Sequence, residues 1–116
     1  LKELRVKKNL FVLPASAFLL AGAAAPIRAE SARSENFQTH CSVCHGDNGK
    51  GQTEEGKKKK ARDLTNAKWQ DTIDDARIVR SITKGHDEMP AFGKKLTETE
   101  IKALAAEVRS LAKKPS

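Results

Sequence analysis

The sequence predicts an all-α domain, and three observations predict it. Residues 97–111 read TETEIKALAAEVRSL, with Ile101, Leu104, Ala105, Val108 and Leu111 at helical spacing behind a Thr97/Glu100 capping box. A second apolar stripe, Ile73, Ala76 and Val79 with Ile78 and Ile82, precedes Gly85. No run alternates apolar and polar residues as a half-buried strand does.

From the N-terminal side, Lys2, Arg5, Lys7 and Lys8 stand before the apolar run Leu10 to Ala25, which ends in small residues ahead of Ile27-Arg28-Ala29. A basic segment, an apolar segment and a small-residue cleavage point make residues 1–29 a secretory signal peptide, with 30–116 as the exported domain. The alternative, an uncleaved membrane anchor, is disfavoured. Pro14, Ser16 and Gly22 interrupt the run, and it falls short of the ~20 apolar residues a spanning helix needs.

The chain's net charge is +7, but the leader holds five of the basic residues and one acidic residue, so the remaining 87 residues carry only +3. Phe37, Trp69 and Phe92 are their only aromatic side chains, and that combination excludes a nucleic-acid binder. Leu, Ile, Val and Phe make up 13 of the 87 residues. So small an apolar share in so short a domain calls for a staple or a large apolar cofactor.

The first helix of the exported domain is expected from a Ser34 N-cap, carrying Phe37, Cys41 and Cys44 on one face. Gly46, Gly49 and Gly51 end it in a loop that needs positive φ. Residues 52–68, including the lysine run 57–60, show no period and are expected to form a surface loop of Ω type. A helix is expected from Asp71 or Thr72 to Lys84, then an irregular stretch, GHDEMPAFG, then the C-terminal helix, whose negative end suits Lys113 and Lys114.

The only two cysteines lie in HCSVCHG, residues 40–46. A redox dithiol would open a helix after a strand, and no strand is expected. Zinc needs four ligands, yet only His40, His45 and His86 accompany the one cysteine pair. A disulfide across four residues would close little entropy. Cys-x-x-Cys-His is instead the attachment signature of c-type haem. Two thiols one helical turn apart reach two vinyl groups of one porphyrin, and the following imidazole lies beneath the iron. Cys41 and Cys44 are therefore the candidate covalent tethers of one haem c, and His45 the candidate axial iron ligand.

For the opposite axial position the candidates are Met89 and His86. Met89 is the only methionine, and Pro90 after it stiffens the backbone that presents it, which favours Met89. His40, next to the motif at another angular position, is expected to be a solvated or capping side chain. Trp69 is expected in the core, with its indole N–H near a haem propionate as the functional alternative.

These stretches, CSVCHG (41–46), GKG (49–51), ARDLTNAKW (61–69), GHDEMPAFG (85–93) and LTETEIKALAAEVRSL (96–111), together resemble small bacterial class I c-type cytochromes with one haem. The resemblance implies the cytochrome c fold: crossed N- and C-terminal helices around one covalently bound haem, in a crevice closed by the methionine loop. It also implies that Met89 binds iron opposite His45. The chain departs from the family twice. No proline between His45 and Met89 supplies a carbonyl for the His45 ring N–H, and Glu107 stands near a position where members often carry an aromatic residue.

Two filled axial positions leave no open site for a reactant, so the expected task is periplasmic transport of one electron between redox partner proteins, not enzymatic catalysis. The protein is expected to be a monomer with no small-molecule substrate. Lys50, Lys57, Lys58, Lys59, Lys60, Lys94 and Lys95 are the candidate basic rim for docking an acidic partner. Were Met89 not a ligand, the alternative is a five-coordinate haem enzyme or gas sensor.

Overall fold

The capping box expected at Thr97 is formed in the computed structural model, which describes Gly22 and residues 33–112. Glu100 N donates to Thr97 Oγ1 and Thr97 N to Glu100 Oε2, both at 3.2 Å. The helix so started runs Glu98–Ser110 (α6), and its buried face is Ile101, Leu104, Ala105 and Val108, continued by Leu111. Each such leucine or isoleucine contributes about 1.5–3 kcal/mol by leaving water. The proposed leader, Lys113 and Lys114 lie outside the described residues.

Ser34 caps the first helix by accepting from Phe37 N at 3.2 Å. What was expected as one helix is two, Glu35–His40 (α1) and Ser42–His45 (α2), separated at Cys41 (φ −112°, ψ −38°). The hydrogen-bond ladder still passes through that residue, since Cys41 N donates to Phe37 O and His45 N to Cys41 O, each at 2.9 Å. Phe37, 0% exposed, fills the centre of the core. Gly46, Gly49 and Gly51 take φ of 73°, 74° and 70°, as the sequence requires.

The expected Ω loop over 52–68 contains a helical turn and the start of another, Glu54–Lys58 (α3) and Ala67–Asp71 (α4). Thr53 Oγ1 accepts from Gly56 N at 2.9 Å and Asn66 Oδ1 from Trp69 N at 3.0 Å, so each turn is held by its cap. Five residues are too few to display a period, which is why neither turn is legible as a stripe. Thr53 Oγ1 also donates toward Val43 O (2.7 Å) and Cys44 O (3.0 Å), fastening α3 to the end of α2.

Gly56 makes that approach possible. A Cβ on it would collide with the Cys44 carbonyl oxygen, a backbone atom that cannot turn aside. Gly56→Ala is therefore expected to cost about 3 kcal/mol in denaturant unfolding of the holoprotein, and a cost below about 0.5 kcal/mol would show that α3 moves freely.

The next helix begins later than expected, spanning Asp75–Lys84 (α5) with Asp74 as N-cap. Asp74 Oδ1 accepts from Arg77 N at 2.7 Å, while Asp71 ends α4 and Ile73 falls in the connection. This start turns Ile78 and Ile82 into the core, with Ile73 and Val79 packed partly buried against it, so of the expected stripe only Ala76 is exposed.

Helices α5 and α6 pack together, and α1 meets α6. At that meeting Glu107 Oε1 accepts from Ser34 N at 3.0 Å and Oε2 from Ser34 Oγ at 2.5 Å. A carboxylate thus caps the first helix from the last and complements its positive end, in place of an aromatic contact. Arg109 binds the α4–α5 connection: Nη1 donates to Gln70 O (2.7 Å), Nη2 to Ile73 O (2.6 Å) and Nε to Asp75 Oδ1 (2.6 Å). Buried Gln70 donates to both Leu64 O and Val108 O at 2.7 Å. Among the described residues there is no strand, only an isolated bridge between His86 and Met89.

Candidate functional site

These helices enclose a cavity of about 420 Å³, whose inner wall is apolar, with Phe37, Leu64, Ile78, Ile82, Phe92 and Leu104 coming from the core itself, while charged residues such as Lys60, Arg62 and Asp87 also line it. Cys41, Cys44 and His45 line it from α2 and the residue before it, and Met89 lines it from the loop after α5. The four site residues expected from sequence therefore face one space.

His45 is half-buried, and its Nδ1 lies 3.0 Å from the carbonyl oxygen of Arg62. A carbonyl only accepts, so Nδ1 carries the proton and Nε2 keeps its lone pair free for a metal. This supplies the carbonyl that the missing proline leaves unassigned. Sequence reasoning did not reach Arg62, because a backbone acceptor 17 residues away is set by the path of the chain and leaves no residue-type signal. Burial pushes the imidazole below its usual pKa, and the bond to Arg62 opposes that in part.

The Cys41 thiol is pushed up to about 11 by burial, then by Glu107 and Cys44. The attacking thiol of a dithiol oxidoreductase needs a lowered pKa, and Cys41 lies in the opposite environment. Among the described residues, no group of three or more His, Cys, Asp or Glu suited to a metal ion gathers.

Met89 is held by a tight turn: His86 N donates to Met89 O at 3.1 Å and Met89 N to His86 O at 2.8 Å. Gly85 (φ 78°) is required before it, since a Cβ there would come within 2.6 Å of Met89 O. Phe92 N to Ile82 O (2.9 Å) and Gly93 N to Thr83 O (3.1 Å) tie the following segment to the end of α5. His86 reaches the cavity too, but it is largely exposed, with Nε2 3.3 Å from Asp87 Oδ2.

His40 is not the solvated side chain expected. It is half-buried, lines the cavity, and sits 5.5 Å from the Phe92 ring, centroid to centroid. Trp69 lines the cavity half-buried, with the Arg62 guanidinium 5.3 Å from its ring centroid. Of the seven lysines expected as a rim, only Lys59 and Lys60 line the cavity, and Lys59 pairs with Glu55 at 3.4 Å. Lys50, Lys57, Lys58, Lys94 and Lys95 lie outside its lining.

Two thiols, an imidazole with Nε2 free, a thioether and an apolar enclosure form a donor set that suits a tethered iron porphyrin. The comparisons with known proteins agree with this chemistry. Residues 29–106 match the family described as cytochrome c oxidase, cbb3-type, subunit III. The cbb3-type cytochrome c oxidase subunit FixP of Azorhizobium caulinodans is 45% identical over 78 residues, covering 66% of this chain and 25% of that protein. The chain thus spans about a quarter of the length of that relative. Cytochrome c6 of Leptolyngbya boryana is 36% identical over 78 residues, covering 67% of this chain and 87% of that protein. Among solved structures, the KustC0563 c-type cytochrome is similar at a TM-score of 0.63 and 40% identity, covering 66% of this chain and 93% of that one. The fold is accordingly the all-α cytochrome c fold, the chain belongs to the c-type cytochrome family described as cbb3-type oxidase subunit III, and its cofactor is covalently bound haem c with its iron.

Proposed function

We propose that this protein is a periplasmic carrier that takes and gives one electron at a haem c held by Cys41, Cys44, His45 and Met89. The observation that carries the reading is the convergence of these four side chains on one apolar cavity. When bound, the haem supplies a one-electron iron couple. The chain's own residues would do the rest: Cys41 and Cys44 would tether the group, His45 and Met89 would hold its iron, and the apolar inner walls would keep water out.

A neutral sulfur ligand and a low-dielectric pocket both favour the less charged, reduced state, so the carrier is of high potential. Arg62, through its carbonyl, keeps His45 in the tautomer that binds metal. No residue is assigned a catalytic role. The partners are other redox proteins, and the names of the FixP relatives point to cbb3-type oxidases as their class. Export through a cleaved leader, 1–29, would leave the domain in the periplasm. Among the described residues, no helix is long and apolar enough to cross a membrane.

Protein expressed with export and extracted with acidified acetone tests the site. The pyridine haemochrome is expected to stay with the polypeptide, one haem per chain, with the spectrum of two thioethers. Cys41→Ala and Cys44→Ala are each expected to shift that spectrum to the single-thioether form. Haem that leaves with the solvent from the unaltered protein would end the proposal.

A further inference from the structure

Lys60 and Asp87, with φ of 53° and 49°, are the two non-glycine residues of positive φ among the described residues, and both line the cavity. Glycine fits such a backbone without steric cost, so a lysine and an aspartate are each held where a smaller residue would be at lower energy. Lys60 belongs to the segment that reaches His45 through the Arg62 carbonyl, and Asp87 to the turn that presents Met89. The first edge carries exposed Lys60 and Arg62, with Lys59 offset by its pairing with Glu55, and the second carries exposed Asp87 and Glu88 beside His86, while Arg77 of α5 is the one further charged residue of the lining. Among the described residues no ion pair joins the two edges, and the Asp87 side chain is 86% exposed.

Resting on the carrier reading above, we infer that the cavity mouth is a dipolar docking surface, which orients a redox protein whose own face is bipolar. Carboxylates of that face meet Lys60 and Arg62, and its ammonium or guanidinium groups meet Asp87 and Glu88. Val43, between the two cysteines, 59% exposed and also lining the cavity, is the apolar contact. A uniformly acidic face would be repelled at Asp87 and Glu88, and a uniformly basic one at Lys60 and Arg62. A bipolar face rotated by half a turn meets like charge at both edges, so only one orientation is attractive. The surface is thus not the wholly basic rim that the lysine count suggests.

Small redox ions of opposite charge probe the two edges separately. The reduced protein gives one electron to ferricyanide, a trivalent anion, or to tris(phenanthroline)cobalt(III), a trivalent cation, and each metal centre falls by one oxidation state. Lys60→Gly and Asp87→Gly suit the local backbone, so melting temperature is expected to hold or rise. At low salt, Lys60→Gly is expected to slow the ferricyanide reaction about three- to tenfold and spare the cobalt reaction. Asp87→Gly is expected to do the reverse. Added salt is expected to shrink both differences. If either substitution changes both rates alike, or neither rate, the dipolar surface is overturned while the carrier stands. Should the unaltered protein reduce neither ion, the carrier reading itself falls.

Discussion

With Met89 proposed as an iron ligand, Met89→Ala is expected to abolish a weak sulfur-to-iron charge-transfer absorption of the oxidised protein and to lower the midpoint potential by at least about 0.1 V, nearly two decades in the redox equilibrium for one electron. The substitution removes the only methionine and leaves Gly85, the His86–Met89 turn and Pro90 without a sulfur to present. A potential that moves by no more than about 0.02 V, with the absorption intact, would assign the sixth position to another residue. His86, the other donor in that loop, is separable by its own substitution, since His86→Ala is expected to leave both signals in place.

Arg109→Ala lowers stability by about 3 kcal/mol, or roughly 10–20 °C in melting temperature for a domain of this size. One guanidinium satisfies the carbonyls of Gln70 and Ile73 and the Asp75 carboxylate, and these lie on the connection between α4 and α5. Trp69, in α4, and Ile73, in the connection, line the cavity. The three N–H bonds of an ammonium leave one nitrogen and cannot reach acceptors that Arg109 meets from three separate nitrogens, so Arg109→Lys is expected to recover less than half of the loss. Circular dichroism melting of the holoproteins measures both values. A loss below about 1 kcal/mol for the alanine variant would reduce the cluster to an ordinary surface ion pair.

Features written in residue type at fixed spacing were legible in the sequence. The capping box at Thr97 and Glu100, the α6 stripe, the positive-φ glycines and the cysteine–histidine motif all belong to this kind, because local chemistry alone decides them. Contacts made through the backbone across long separations were not. The Arg62 carbonyl on His45 and the close approach at Gly56 depend on where the loop travels, and a lysine-rich loop gives no hint of either. The start of α5 was misplaced because Asp71, Thr72 and Asp74 are all good caps. Only the packing of Ile78 and Ile82 against α6 selects Asp74. His40 was misjudged for a related reason, since Phe92 reaches it from the other side of the fold.

The Ser34–Glu107 contact joins residues 73 apart and brings the two ends of the described helical unit side by side. A unit whose entry and exit share one point can be attached to a longer polypeptide there without threading chain across its interior. The charged mouth of the cavity is built from segments away from that junction in sequence, 59–62 and 86–90. The same architecture therefore suits both a free carrier and a module within a larger protein, since attachment leaves the exposed cavity mouth unencumbered.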